Sequence, residues 1–304
     1  MQNLKIKIGK LELKNPVISA SGTFGCGKEY NEFFDVNKLG AIVTKTITPK
    51  ERVGNPPPRV SETPCGMLNA IGLENKGIDN FIKDNSEFLS SLKTNVIISI
   101  SAEGTKEFCA MAEKLQSQKF VAGLEINMSC PNLGYAPGKM CAQDAKSAKE
   151  VIFAIRKKTS LPLIAKLSPN VTDITEIAVS CQDGGADAIA LINTFPAMGV
   201  DINTKKPLLG NITGGLSGPA IKPIALKMIW DCYNAVKIPI IGIGGIMTWQ
   251  DAVEFILCGA SAVQVGTSNF VNPVSCDEII TGIKNYFDKN KLKNVSELRG
   301  KLKI

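Results

Sequence analysis

Histidine is absent from all 304 residues of this chain. Its absence excludes a histidine-based catalytic triad, a histidine metal ligand and an imidazole acid or base. Proton transfer near neutral pH therefore falls to cysteine, lysine, tyrosine or a carboxylate. Any catalytic mechanism for this chain has to be built from that short set of side chains.

Closely spaced cysteine pairs are also missing. The nine cysteines are scattered, and no two of them form a C-x-x-C pair. An odd, unpaired set argues against a disulfide framework and predicts a reducing, cytoplasmic location. It also argues against a zinc or iron–sulfur site held by this chain alone, because such sites usually show as close pairs. We therefore expect no metal site in this chain.

Membrane and nucleotide signatures are lacking too. No stretch approaches the ~18 consecutive apolar residues of a membrane span, and residues 1–8 alternate like a short strand, unlike a signal peptide. No G-x-G-x-x-G occurs, and residues 22–29 nearly spell a P-loop but end in Glu29, where a Ser or Thr hydroxyl is needed. Much of the net charge of +7 lies near the C-terminus, which predicts a solvated tail and no nucleic-acid site.

What the chain does contain is a repeating order of strand and helix. Apolar, β-rich runs alternate with segments of helical periodicity. The eight runs are residues 16–20, 41–45, 96–100, 124–128, 163–167, 188–192, 239–243 and 262–265. The helical segments between them include residues 79–92, 106–118, 144–159, 173–184, 219–236 and 248–258. This order predicts an α/β fold, a closed (β/α)8 TIM barrel formed by residues 1–304 as one domain, with a short N-terminal strand extension and a C-terminal helix.

A polar residue or a glycine pair follows each predicted strand. In such barrels the chemistry takes place at the carboxyl ends of the strands. Lys45 and Lys166 stand at two of these ends and predict an anionic ligand. The loops after the seventh and eighth strands contain Gly244, Gly245 and Gly266, and glycine lets backbone N–H groups approach a phosphate closely. These features together favour a phosphate-bearing ligand in the mouth of the barrel.

A cysteine stands at the end of the fourth predicted strand. Alternation of apolar and polar residues over 124–128 predicts the strand, and Pro131 ends it. Cys130 therefore lies where the strand passes into residues 131–141, whose glycines and prolines are typical of a surface loop. Its thiol is a candidate catalytic group for a small polar substrate. The alternative is a buried structural cysteine.

Five short motifs give the chain a resemblance to a known family. They are NMSCPN at 127–132, NAIGL at 69–73, KT at 45–46, IGGI at 243–246 and VGT at 265–267. With these motifs the chain resembles dihydroorotate dehydrogenase over essentially its whole length. The loop at residues 210–222 resembles that of the class 1B catalytic subunit, and class 2 enzymes have serine in place of the cysteine. Glu74 and Lys76 depart from the expected glutamine and proline.

The resemblance implies an FMN-dependent oxidation of dihydroorotate to orotate, a step of pyrimidine biosynthesis. Cys130 would remove the C5 proton, assisted by the charge of Lys45, and Lys166 would lie at the N1–C2=O edge of the flavin. Residues 131–141 would form a lid. The implied FMN contacts are Ser21, Lys45, Thr46, Ser99, Asn127, Lys166, Ile192, Gly218, Gly244, Gly245, Gly266 and Thr267. The implied substrate contacts are Lys45, Asn69, Ala70, Ile71, Gly72, Leu73, Asn127, Asn193 and Thr194.

The class 1B resemblance also implies a partner subunit that carries FAD and a 2Fe–2S cluster and passes electrons to NAD+. A homodimeric core within a heterotetramer is then expected, with neither nucleic acid nor a membrane as partner. Three alternatives stay open. They are a class 1A enzyme that uses fumarate, a dihydrouridine synthase-like FMN barrel, and a phosphate-binding barrel without enzymatic activity. About 37 residues follow Thr267, which is short for the RNA-binding domain of a dihydrouridine synthase.

Overall fold

The computed structural model describes residues 3–128 and 143–303. The strands in chain order are β1 (Ile6–Ile8), β2 (Leu11–Leu13), β3 (Val17–Ser19), β4 (Ala41–Val43), β5 (Val60–Thr63), β6 (Gly66–Asn69), β7 (Asn95–Ile100), β8 (Val121–Asn127), β9 (Leu163–Lys166), β10 (Ala188–Leu191), β11 (Phe195–Met198), β12 (Val200–Asp201), β13 (Lys206–Pro207), β14 (Thr213–Ser217), β15 (Ile240–Ile243) and β16 (Ala262–Val265). The helices are α1 (Gly77–Ser91), α2 (Thr105–Gln116), α3 (Ala145–Arg156), α4 (Ile174–Asp183), α5 (Lys222–Ala235), α6 (Trp249–Leu257), α7 (Ser268–Val271) and α8 (Ser275–Lys289).

Eight parallel strands close into a barrel. Their order around it is β3, β4, β7, β8, β9, β10, β15 and β16, and β16 pairs with β3 to complete the ring. Every residue of β9, β10, β15 and β16 is buried, as expected for strands covered on both faces. All eight predicted strands are present, so the predicted (β/α)8 TIM barrel is confirmed.

Side-chain caps explain why three helices begin just after the predicted positions. Asp144, Asp173 and Thr248 each accept a hydrogen bond from a backbone N–H of the first turn of α3, α4 and α6. Such a residue has an extended backbone and precedes the helix that it caps. These three predicted helices are therefore present. The residue predicted to begin each one is its N-cap, and the helix begins one residue later.

The connection between β3 and β4 contains short 3-10 turns and no α-helix among its residues, all of which the structure describes. Phe24 is fully buried in this connection and stacks on Tyr30 with 4.2 Å between ring centroids. The segment at residues 22–29 is thus a packed loop, in agreement with its failure to match a P-loop.

A second sheet of four strands was not predicted. Its order is β11, β14, β6 and β5, and all neighbours are antiparallel. β5 and β6 belong to the connection after β4, whereas β11 and β14 belong to the connection after β10. Both connections leave the carboxyl ends of barrel strands, so the sheet lies on the side of the barrel where chemistry is expected.

The opposite end of the barrel is covered by the hairpin of β1 and β2. Ile8 and Leu13 are fully buried in the main core, and the side-chain amide of Asn95, at the start of β7, donates to Glu12 O at 2.7 Å. The basic tail after α8 differs from the predicted solvated segment, because Val295 and Leu298 are buried in the main core. Arg299 packs back and donates to Ser261 Oγ at 2.8 Å.

Candidate functional site

A cavity of about 740 Å³ opens at the carboxyl end of the barrel. Residues at or just beyond the ends of β3, β4, β8, β9, β10, β15 and β16 line it, together with the sheet of β5, β6, β11 and β14. The volume is within the ~300–1,000 Å³ range of small-molecule sites. The cavity therefore brings together loops that are far apart in the sequence.

Nearly all residues implied by the resemblance line this one cavity. The set comprises Ser21, Lys45, Thr46, Asn69, Ala70, Ile71, Gly72, Leu73, Asn127, Lys166, Ile192, Asn193, Thr194, Gly218, Gly244, Gly245, Gly266 and Thr267. Among the implied cofactor and substrate contacts, Ser99 is the exception: it is fully buried behind the wall, and its hydroxyl is 2.9 Å from Thr46 Oγ1. The structure thus supports a common location for these residues, while their individual roles stay predictions.

The floor of the cavity carries Lys166, the last residue of β9. Its side chain is almost fully buried, at 8% exposure. The ammonium donates to Ser21 Oγ at 3.0 Å and lies 3.6 Å from the carboxylate of Glu125. A cation with fixed partners in a dry position can act on a ligand above it with little reorganisation.

The rim carries Lys45, two residues beyond β4. Among the residues that the structure describes, none is within hydrogen-bonding or ion-pair distance of its ammonium. Partial burial lowers the pKa of Lys45, while the charge of Glu74 raises it and that of Arg59 lowers it. This lysine is available for an incoming anion.

Residues 69–73 form one wall of the cavity and are held by a strap at residues 52–59. Asn55 N donates to Ile71 O at 3.1 Å, and Asn55 Nδ2 donates to Ala70 O at 3.1 Å. Gly72 adopts a φ of 75°, in the left-handed region that glycine accepts at no steric cost. Main-chain bonding therefore sets the shape of the wall.

The two departures from the family pattern are both accommodated next to this wall. Glu74 pairs with Arg59 at 2.6 Å, and Arg59 also donates to two carbonyls of the strap, those of Asn55 and Val53. Lys76 pairs with Asp84 on α1 at 3.0 Å. Glu74 and Lys76 thus each form an ion pair, and residues 69–73 stay on the cavity wall.

Glycines line the part of the cavity where the sequence predicts a phosphate cradle. Gly245 has a φ of 71°, and a Cβ there would come within 2.7 Å of Lys222 Cβ and 2.9 Å of Gly218 O. Gly244 has a φ of 127°, and a Cβ there would come within 3.1 Å of Ala225 Cβ. The backbone between β15 and α6 can therefore approach a ligand where no side chain would fit, as a phosphate contact requires.

The catalytic prediction lies outside the described residues. Cys130 and residues 131–141 belong to the range 129–142, so the thiol base and the lid stay predictions. β8 leads towards them through Asn127, which is on the cavity wall.

Several polar residues of the cavity were missed by sequence reasoning. They are Arg52, Asn55, Ser168, Asn170, Asn211, Thr213 and Ser217. Asn170 had a visible signal: it follows a predicted strand end within a Ser-Pro-Asn sequence, the same Pro-Asn pattern that drew notice at 131–132. In the structure its amide donates to Ser168 Oγ at 3.0 Å and to Thr194 O at 3.4 Å.

Two kinds of feature are absent from the described ranges 3–128 and 143–303. No group of three or more His, Cys, Asp or Glu side chains is placed to hold a metal ion. No helix there combines the length and the apolar character that crossing a bilayer requires.

Comparison with known proteins agrees with this geometry. The model of the family described as dihydroorotate dehydrogenase matches residues 3–287. A protein of Geotalea daltonii named dihydroorotate dehydrogenase B (NAD(+)), catalytic subunit, is 51% identical over 302 residues, which cover 99% of each chain. Proteins with the same name from Caldicellulosiruptor bescii and Bacteroides thetaiotaomicron are 48% and 46% identical, over 99% and 100% of this chain and 100% of each relative. The chain belongs to the dihydroorotate dehydrogenase family.

Proposed function

We propose that this chain oxidises dihydroorotate to orotate with FMN bound in the cavity, and that a partner subunit carries the electrons on to NAD+. The observation that supports this best is the meeting of three features in one cavity of about 740 Å³: a glycine cradle, a buried lysine, and a lysine without a hydrogen-bond or ion-pair partner among the described residues. Relatives of about the same length that carry the NAD(+)-linked name support the choice of electron acceptor.

The residues present fit FMN. A Cβ at Gly245 would clash with Lys222 and Gly218, so the bare backbone of the cradle at Gly244 and Gly245 would be free to approach a phosphate, and Lys166 offers a cation on the floor. When bound, FMN supplies the acceptor for the hydride that leaves C6 of dihydroorotate. The backbone N–H groups of the cradle would hold the phosphate, and Ser21 and Thr46 offer further hydroxyl donors on the wall.

The chain's own groups would divide the remaining work. Lys45 would pair with the carboxylate of the substrate, and Asn69, Asn127 and Asn193 would hydrogen-bond its ring amides from the cavity wall. Cys130, as thiolate, would take the C5 proton on the ring face opposite to hydride departure. Lys166 would favour the negative charge that hydride transfer brings to the flavin. Proton and hydride are both accounted for, and orotate is the product.

The visible spectrum of the purified chain tests the proposal. We expect flavin bands near about 370 and 450 nm that bleach when dihydroorotate is added without oxygen. A colourless protein that takes up no FMN, or a flavin that dihydroorotate does not reduce, would contradict it.

The electron acceptor is tested separately. The chain alone should reduce NAD+ poorly with dihydroorotate as donor, and co-expression with the partner subunit should restore the rate. NAD+ reduction by the chain alone at the rate of the complex would overturn the need for a partner. Full turnover with fumarate would place the chain with the class 1A enzymes instead.

A further inference from the structure

A fully buried carboxylate lies beneath the floor of the cavity. Glu125 has 0% exposure and does not line the cavity. Its Oε2 accepts a hydrogen bond from Gln264 Nε2 at 2.7 Å. Its Oε1 has no hydrogen-bond partner among the described residues and lies 3.6 Å from the ammonium of Lys166. The sequence alternation around Glu125 gave no sign of this role.

The strand order fixes the carboxylate in this place. β8 carries Glu125 and β16 carries Gln264, and the two strands stand four places apart in the ring of eight, on opposite sides of the barrel. Gln264 therefore reaches across the barrel interior. The register pairs Asn127 with Lys166 and Glu125 with Ile164, so Glu125 lies one inward-facing layer below Lys166.

Charge balance links the two residues. Glu125 and Lys166 are the charged side chains among the buried residues of the described ranges. A carboxylate without water is costly unless a cation or strong donors offset its charge. The ammonium of Lys166 supplies that offset from above, while Ser21 holds the same ammonium at the level of the cavity wall.

We propose that Glu125 is a positioning residue for the flavin site: it anchors the ammonium of Lys166 and offsets part of its charge, so that bound FMN has a lower midpoint potential than Lys166 alone would give. The inference rests on the proposed function, because it needs FMN above Lys166. In this arrangement the pair, and not the lysine alone, sets how strongly charge on reduced flavin is favoured.

The substitution Glu125→Gln tests the charge while keeping the shape. The new amide retains an oxygen for Gln264 Nε2, and its NH2 group can donate to Gln264 Oε1, which has no described partner now. Reduced FMN should bind more tightly relative to oxidised FMN by about tenfold, which raises the two-electron midpoint potential by about 30 mV. Glu150→Gln, on the exposed side of α3, is the matched control and should leave the potential unchanged.

A midpoint potential in Glu125→Gln that is unchanged or lower would overturn the proposal. Such a result leaves the proposed function intact as long as the unsubstituted chain binds FMN and dihydroorotate reduces it. Failure of the unsubstituted chain to bind FMN would instead remove the proposed function.

A double-mutant cycle on thermal stability, measured on the FMN-free protein, tests whether Glu125 and Lys166 are charge partners. It applies even when a variant binds flavin too weakly for a redox titration. Lys166→Met leaves the buried carboxylate without its cation and should lower Tm by about 5–10 °C. Adding Glu125→Gln to that variant should recover most of the loss. If the double variant has the same Tm as Lys166→Met alone, Glu125 and Lys166 are not charge partners.

Discussion

The floor and the rim of the cavity each present one lysine, and the two are built differently. Lys166 on the floor is 6% exposed and has Ser21 and Glu125 as fixed partners. Lys45 on the rim is half-buried and has no hydrogen-bond or ion-pair partner among the described residues. Two residues of one type at the ends of two barrel strands thus have opposite surroundings.

The difference matches the two kinds of ligand that the proposal requires. A cofactor that stays bound is served by a cation whose position and charge are fixed in advance. A substrate that enters and leaves is served by a cation without a competing partner, because exchanging one ion pair for another gains little. Substitutions at the rim should therefore change substrate binding and proton transfer, whereas substitutions on the floor should change the midpoint potential of the flavin.

The largest effect is expected from Cys130→Ala. A positioned general base contributes ~10²–10⁴-fold, and the absence of histidine leaves few groups that could substitute. Anaerobic stopped-flow reduction of the flavin by dihydroorotate should slow by that factor, with FMN content unchanged. Reduction within about threefold of the unsubstituted rate would assign the base to another group, and loss of FMN would make the cysteine structural.

Lys45→Met should weaken the use of dihydroorotate at the rim while FMN stays bound. A hydrogen bond to a charged group is worth about 1.5–3 kcal/mol, so kcat/KM for dihydroorotate should fall by about 10- to 150-fold, mostly through KM. Because Lys45 is also an implied FMN contact, the FMN dissociation constant should rise, but by a smaller factor than kcat/KM falls. Lys28→Met removes an exposed lysine and serves as the control. A fall in FMN affinity equal to the fall in kcat/KM would show that Lys45 serves the cofactor and not the substrate.

Lys166→Ala should lower the midpoint potential of the bound flavin. The ammonium of Lys166 offsets a negative charge that the flavin carries only after reduction. Its loss should therefore weaken binding of reduced FMN relative to oxidised FMN by about tenfold, and the midpoint potential should fall by about 30 mV. Dye-coupled reductive titration measures the shift. An unchanged potential would mean that Lys166 does not act on the redox centre of the flavin.

The pH dependence of stability should distinguish the rim lysine from an ordinary surface lysine. Burial lowers the pKa of Lys45 from 10.5, so the unfolded chain binds more protons than the folded chain between the two values. The contribution of Lys45 to the free energy of unfolding should therefore rise with pH across that window, while buried thiols such as Cys26, whose pKa burial raises to about 12, contribute in the opposite direction. In Lys45→Met the free energy of unfolding should therefore fall more steeply, or rise less, than in the unsubstituted chain in denaturant titrations made at several alkaline pH values. An identical slope in the variant would contradict the assignment.

The smallest effect is expected from Glu74→Gln. KM for dihydroorotate should rise at alkaline pH as Lys45 loses its proton and its charge. The charge of Glu74 raises the pKa of Lys45, so removing the Glu74 charge should move this rise in KM to lower pH. Glu74 is largely exposed, and exposed pairs are worth about 0.2–1 kcal/mol, so the shift should stay below about 0.7 pH unit. A shift to higher pH would reverse the inferred direction.

The barrel and most of the cavity could be predicted because each strand is a buried apolar run that ends in a polar or glycine residue. The sheet of β5, β6, β11 and β14 could not. Its strands are short, and Gly66, Pro196, Gly214 and Gly215 give them the composition of loops. They are strands because they pair across two distant connections, which no local pattern records.

Glu125 shows a second limit. Alternation in the sequence identifies it as the polar side of a strand, yet in a closed barrel that side faces the interior. Whether an inward polar residue is satisfied depends on a partner 139 positions away, Gln264. Ser99 illustrates the same point. The sequence places it at a strand end, yet its hydroxyl contacts Thr46 and the residue does not line the cavity.

The pairing of β6 with β14 also has a consequence for how this barrel can diversify. Asn69 stands opposite Gly215, and its side-chain amide donates to Gly215 O at 3.2 Å. A Cβ at Gly215 would in turn collide with Thr194. The loops after two non-adjacent barrel strands therefore form a single structural unit. A loop exchanged with a relative, by recombination or in the laboratory, should function only when its counterpart across the mouth is exchanged with it.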